Sequence, residues 1–178
     1  RVIRKDASMA SGASIALGVA VAWDRSHAVI AACGLATDGA PVCEILDSRP
    51  GSGWVADRLL ELEPRWSPEA VLIDARSPAS AITADPALED IIEIPQSTRV
   101  AGGTAAFLDG IATGSLRLRY DRALAGAFDS LALRTVGDLG QMLDRKNSTG
   151  SIAEIEACML AYTGITQTTV APQPEIWF

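Results

Sequence analysis

The residues of this chain best suited to chemistry are carboxylates. Asp74 closes the apolar run Val71-Leu72-Ile73 directly before Ala75-Arg76-Ser77-Pro78, and Glu154 and Glu156 fall in the last helical stretch, far downstream. Acids drawn from distant segments can hold two divalent cations roughly 3.5–4 Å apart, which activate a water and steady a leaving oxygen. Hard oxygen donors suit Mg2+ or Mn2+, and such a site needs neither His nor Cys. The alternatives have little to work with. The single histidine, His27, lies in an alternating strand pattern and reads as structural; Cys33, Cys43 and Cys158 are odd in number, widely spaced and without a CxxC pair. A zinc site, a Ser-His-Asp triad and a disulfide framework are therefore set aside, and the thiols read as reduced.

Each acid also has a plain structural reading. Asp74 stands at the carboxyl end of a strand, where α/β sheets place ligand-binding groups, or it is a turn carboxylate. Along the last helix, at about 100° per residue, Ile152, Ile155, Met159 and Tyr162 define one arc. Glu156 falls inside that arc, as a site residue or as a paired structural charge. Glu154 points away from it and is expected to serve a capping box: Ser151 accepts from a free backbone N–H and Glu154 reaches back, the cap contributing on the order of 1 kcal/mol. Ser151 itself is a poor ligand for a hard divalent cation. Asp24, in the turn Asp24-Arg25-Ser26, reads as an Asx-turn residue. Arg76, Arg145 and Lys146, with Arg99, Arg117, Arg119 and Arg122, line a path for DNA or form a solvated face. Asp144 to Ser148 reads as a loop, basic at Arg145-Lys146, beside the site. Neither Gly51-Ser52-Gly53 nor Gly102-Gly103 has the form of a nucleotide-phosphate loop.

The elements that must position these side chains are legible in outline. After a leader over 1–13, Ser14 to Trp23 alternates Ile15, Leu17, Val19 and Val21 on one face with Ala16, Gly18, Ala20 and Ala22 on the other: a strand with one bulky and one nearly bare side. His27 to Ala36 and Pro41 to Asp47, separated by Asp38-Gly39, complete a three-strand antiparallel meander. The period then changes from two to 3.6, with Trp54, Val55, Leu59, Leu60 and Leu62 at helical spacing up to Pro64. Short strands are expected at 69–75 and 91–95, with 116–120 as a further candidate, and helices at 78–82 (start), 98–113, 122–133 and 151–162. Strands joined by helical crossovers are usually parallel. The expectation is an α/β domain over 14–164 with a mixed five-stranded sheet, meander first and parallel strands after, flanked by helices, and an irregular tail over 165–178. This order of elements is that of ribonuclease H-like domains, and other α/β folds can share it.

The whole is one domain's length, 178 residues, with 48% apolar and 21% charged residues, which excludes a disordered linker. Its formal charge of −7 argues against tight duplex binding without help, since that needs a clustered basic face. No stretch has the apolar length to cross a bilayer and no signal peptide is apparent, so the chain reads as soluble and unexported. It opens at Arg1 without an initiator methionine, as a domain of a longer protein would.

Several segments, in order over the chain, resemble the C-terminal nuclease domain of phage and prophage terminase large subunits, especially of actinobacterial type. They are IALGVAVAWDRSHAVIAACG (15–34), DGAPVCEILDSRPGSGWV (38–55), EAVLIDARSPAS (69–80), LRTVGD (133–138) and SIAEIEACMLAYTG (151–164). The resemblance implies a ribonuclease H-like fold and a Mg2+- or Mn2+-dependent endonuclease that cuts concatemeric double-stranded DNA during packaging. It also implies an N-terminal ATPase motor as neighbour, the portal and the small terminase subunit as partners, and the host bacterial cytoplasm as location. The family's acidic site is degenerate in this chain. Its first-strand aspartate falls on Ala20, its second acid on Asp74, and the aspartate at the start of the last helix on Ser151, or on Gly150 with a shifted gap. Asp24 matches a turn aspartate and does not replace the missing one. Three readings follow: a non-catalytic module for assembly or DNA guidance; an endonuclease with a rearranged site using Asp74 with Glu156 or Glu154, aided by Asp24 or Asp138; and an enzyme disabled by an engineered Ala20.

Overall fold

The computed structural model of the chain describes residues 2–167. A short strand, β1 (Ile3–Arg4), precedes the meander β2 (Ile15–Val21), β3 (His27–Leu35) and β4 (Pro41–Pro50). Helix α1 (Val55–Trp66), strand β5 (Ala70–Ile73), the short helix α2 (Ser80–Thr83) and the long α3 (Ser97–Thr113) follow. Strand β6 (Arg117–Arg119), helix α4 (Arg122–Ser130), a hairpin of β7 (Leu133–Thr135) and β8 (Gln141–Leu143), and helix α5 (Ala153–Thr166) complete the order. One mixed sheet runs β1-β6-β4-β3-β2-β5, with the meander antiparallel and β5 parallel to β2.

The sheet thus has the expected meander and parallel additions, and six strands where five were expected. Two strands come in addition: β6, the candidate at 116–120, and β1, which lies in the stretch expected to be a leader and pairs in parallel with β6. The strand expected at 91–95 is reduced to a single bridge between Leu72 and Glu93, because Pro95 has no N–H to extend it and Gln96 already caps α3. The β7–β8 hairpin was not foreseen: the helix expected to reach Leu133 stops at Ser130, and both strands are only three residues long. Helix α5 continues to Thr166, and residues 168–178 of the expected tail lie outside the described residues.

The two faces of β2 decide what packs where. Leu17, Val19 and Val21 join Val55, Leu59 and Leu62 of α1 in one core cluster, while Ala20 and Ala22 belong to the other, under α3, α4 and α5. The bare face is bare because α5 lies directly on it. A Cβ added at Gly18 would sit 2.1 Å from the Ala157 carbonyl oxygen and 2.5 Å from the Ala161 nitrogen, and one at Gly164 would sit 2.8 Å from the Ala16 Cβ. Gly103 of α3 is pressed in the same way against Thr163 of α5, so the Gly102-Gly103 pair serves helix packing.

A methyl group at Gly18 meets backbone rather than a movable side chain. Gly18→Ala is expected to destabilise the fold by about 3 kcal/mol or more. Gly126→Ala, in α4 with nothing within 4 Å of the added Cβ, is expected to stabilise by about 0.5–1 kcal/mol. Urea unfolding of the two variants beside the parent measures both.

Candidate active site

Asp74 follows β5 directly, and the β2–β5 register (Val19 opposite Ile73), carried one residue further, sets Ala20 beside it. Asp74 and Ala20 are both buried, 4% and 0% exposed. Asp74 Oδ1 accepts from the Arg76 backbone N–H at 2.9 Å, and Ser77 donates from Oγ to the Asp74 carbonyl at 2.7 Å. The loop after Asp74 is tied down further by Arg25, whose Nη1 donates to the Pro78 carbonyl at 3.2 Å. The free oxygen, Oδ2, faces α5.

There it meets a cation. Arg145 Nη2 donates to Asp74 Oδ2 at 2.7 Å, and Arg145 Nε lies 2.9 Å from both oxygens of Glu156. The same Nη2 also donates to Glu156 Oε1. Two carboxylates, from β5 and α5, therefore converge on one guanidinium nitrogen. Arg145 is held there by the turn that follows β8: Asp144 accepts from the Asn147 N–H at 3.0 Å and from the Asn147 side-chain amide at 2.8 Å, and Ser148 Oγ donates to the Asp144 carbonyl at 2.6 Å. Those bonds from Asn147 hold the Asp144 carboxyl below its usual range.

One guanidinium cannot fully neutralise two buried carboxylates. Burial pushes the Glu156 carboxyl up, Arg145 pulls it down, and Asp74 beside it pushes it up again, leaving it above the ordinary glutamate range. Arg145 is held in its charged form: burial opposes the charge, but Glu156 and then Asp74 outweigh it.

Glu154 corrects the sequence reading. It is 4% exposed and belongs to no capping box: α5 starts at Ala153, the cap position is Ile152, and Ile152 has no side-chain cap bond. Helix α5 is buried on every side from Ile152 to Ala161, so a residue off the apolar arc is still inside the protein. The buried carboxylate finds its donor in His27, Nε2 to Oε1 at 3.0 Å, with Ser26 Oγ 3.1 Å from Nδ1 and Ser151 Oγ 3.4 Å from Nε2. Ser151 Oγ also accepts from the Ala153 N–H at 3.3 Å. Asp24 is an exposed Asx-turn residue, as expected, accepting from the Ser26 N–H at 3.0 Å. Asp138 is exposed in the turn between β7 and β8.

Of the basic residues considered, Arg76, Arg145 and Lys146 line one cavity of about 290 Å³ beside Asp74. Arg99, Arg117 and Arg119 are engaged elsewhere, with Glu93, Asp38 and Glu44. Its lining also includes Arg134 and Trp23, which no sequence pattern placed here. Arg134 stands on β7, an element not foreseen. Trp23 was legible as the residue that ends the β2 alternation on the same sheet edge as Asp74.

No family model matches this chain, and no curated protein matches it by sequence. Among solved structures it is similar to the large terminase nuclease of thermophilic phage G20c, at 15% identity over 88% of this chain and 85% of that one, with a TM-score of 0.60. It is also similar to the nuclease domain of the Thermus phage P74-26 large terminase (12% identity, 92% and 85% covered, TM-score 0.57). The large terminase of bacteriophage HK97 matches at 11% identity and a TM-score of 0.65, over 85% of this chain but only 39% of that one. The fold is that of a large-terminase nuclease domain. It is ribonuclease H-like, as the order of elements predicted.

The terminase nuclease of G20c has been solved with bound magnesium and with bound cobalt. The residues of the present chain do not fit such an ion as they stand. Among the described residues, no group of three or more His, Cys, Asp or Glu side chains is arranged to hold a metal ion. Asp74 and Glu156 have their inward-facing oxygens on Arg145, Ala20 brings no donor, and the Ser151 hydroxyl lies beside the His27–Glu154 pair. In this chain the buried carboxylates of Asp74 and Glu156 are neutralised by a protein cation. No helix among the described residues is long and apolar enough to cross a membrane.

Removing Arg145 leaves the buried Glu156 without its counter-ion and Asp74 with only the looser contact to Arg76 Nε at 3.8 Å. Arg145→Ala is expected to cost about 3–5 kcal/mol at pH 8. Because the native Glu156 pKa lies above its unfolded value, its proton is bound more tightly in the folded state. Stability from this group is therefore present at low pH and lost as pH rises through the folded pKa. The Arg145→Ala penalty should shrink at pH 5, and adding Glu156→Gln should recover part of it at pH 8. Urea unfolding at the two pH values reads both effects.

Proposed function

We propose that this chain is the nuclease-type domain of a phage terminase large subunit, acting in viral DNA packaging as a DNA-guiding and assembly module that does not itself cut DNA. The observation that carries this reading is the guanidinium of Arg145 standing between Asp74 and Glu156, where a nuclease would hold divalent cations. Ala20 and Ser151, on which the family's other acids fall, support it. The domain over 14–164 works beside an N-terminal ATPase motor in the host cytoplasm, in contact with the portal and the small subunit. Its charge of −7 makes its own grip on duplex DNA weak, so those neighbours supply part of the hold.

A second reading rests on the convergence of Asp74 and Glu156. If Arg145 swings out, two carboxylates from separate elements remain close together, and the domain becomes a Mg2+- or Mn2+-dependent endonuclease with a rearranged site.

A nicking assay on supercoiled plasmid with Mg2+ or Mn2+ separates the two. The non-cutting reading expects no nicking by the parent and nicking by the double variant Ala20→Asp, Ser151→Asp. Metal-dependent nicking by the parent that disappears in Asp74→Ala would overturn it and establish the rearranged endonuclease.

A further inference from the structure

We propose that the cavity beside the Asp74–Arg145–Glu156 cluster binds an unpaired nucleotide of a DNA strand, with its base stacked on Trp23 and its phosphate held by Arg76, Arg134 and Lys146. The inference rests on the reading of the domain as a DNA-handling module and names the form of DNA that this site takes.

Four observations carry it. First, Trp23 is a large apolar side chain left 55% exposed, two residues past the end of the buried strand β2. It lines the cavity rather than a flat surface. Second, the exposed charges that line the cavity are positive: the side chain of Arg76 is 57% exposed, its Nε 3.8 Å from Asp74 Oδ1 below, and Arg134 and Lys146 are exposed as well. Third, three of the nearby acids are turned away from solvent: Asp74 and Glu156 are buried on Arg145, and Asp144 is buried and bonded to Asn147, while Asp24, exposed beside Trp23, accepts from the Ser26 backbone. In a chain of net charge −7, this is a local reversal of sign. Fourth, the cavity's volume, about 290 Å³, is that of a site for one small group, and it adjoins a second hollow of about 100 Å³ that reaches Asp74, Thr104 and Met159.

An indole face combined with mobile cations is the chemistry that binds single-stranded nucleic acid. Bases stack on the ring whatever their identity, and the cations follow the phosphates. Within a duplex the base faces are covered by their neighbours, and a duplex is too wide for this cavity, so the occupant is an unpaired base at a strand end or a frayed position. The ends of β2 and β5 set Trp23 and Asp74 on the same edge of the sheet, where α/β folds place ligands.

The experiment is fluorescence anisotropy of a labelled oligothymidylate of about 12 nucleotides titrated with the 178-residue chain at low salt, beside a blunt duplex of equal length. Trp23→Ala is expected to weaken single-strand binding on the order of tenfold and to leave duplex binding unchanged, while Trp23→Phe retains most of it. Arg134→Ala and Lys146→Ala should each lower the salt slope of single-strand binding by about 0.7. Competition by thymidine monophosphate that exceeds competition by inorganic phosphate supports the stacking contact; equal competition overturns it. Single-strand binding identical in the parent and Trp23→Ala overturns the inference. Binding of the duplex but not the single strand overturns it too, while leaving the DNA-handling reading intact; binding of neither overturns both. Matching urea midpoints of parent and Trp23→Ala show that the variant is folded.

Discussion

Everything at the candidate site depends on how closely α5 approaches the bare face of β2. Ala16, Gly18 and Ala20 on the strand, and Ala157, Ala161 and Gly164 on the helix, let backbone come almost against backbone. An ordinary helix–sheet spacing leaves room for side chains between the layers. Here the layers are too close for that, and α5 becomes a central helix, covered by the sheet below and by α3 and α4 beside it. A polar side chain on such a helix has no route to water, so each must find a partner inside. Glu156 finds Arg145 and Glu154 finds His27. The two pairs arise from the same packing.

This packing also explains why the carboxylate cluster has the form of a salt bridge. Buried ionised groups are tolerated only when paired and hydrogen-bonded. Arg145 meets this need with a planar fork that reaches Asp74 and Glu156 together, which a lysine could not do with the same geometry. The hairpin β7–β8 and the Asn147–Asp144 turn bring that fork into position. The cost of leaving the pair incomplete is what holds the turn on α5, so the cluster is an anchor for the hairpin.

The sequence made part of this visible. The strict alternation of small and bulky residues in β2 announced a strand with one crowded face, and the meander, α1, α3 and α5 followed from period and turn residues. Asp74 stood out because an acid ends an apolar run. What escaped had physical reasons. Strands β1, β7 and β8 are two or three residues long, too short to show a period, and they persist through pairing with distant partners. A capping role for Glu154 presumes a helix with one solvent-facing side, which the first turns of α5 lack. Arg145 and Asp74 are 71 positions apart, and no local pattern ties a loop arginine to a strand-end aspartate. The presence of Glu156 on the inward arc was legible, and its partner was not.

The distances along the chain matter in another way. His27 and Glu154 are 127 residues apart, and the face of β2 is covered only when α5 docks on it. The meander β2–β4 and the α1–β5 unit can close through short loops, but the contacts that bury Asp74 and Glu156 require the far end of the described chain. Closing so long a loop is entropically costly, and folds dominated by such contacts form slowly. Until α5 docks, the Ala-Gly face of β2 is open to solvent or to another strand or helix. The feature that makes the finished core so tight is thus also the last surface of the domain to be protected as it folds.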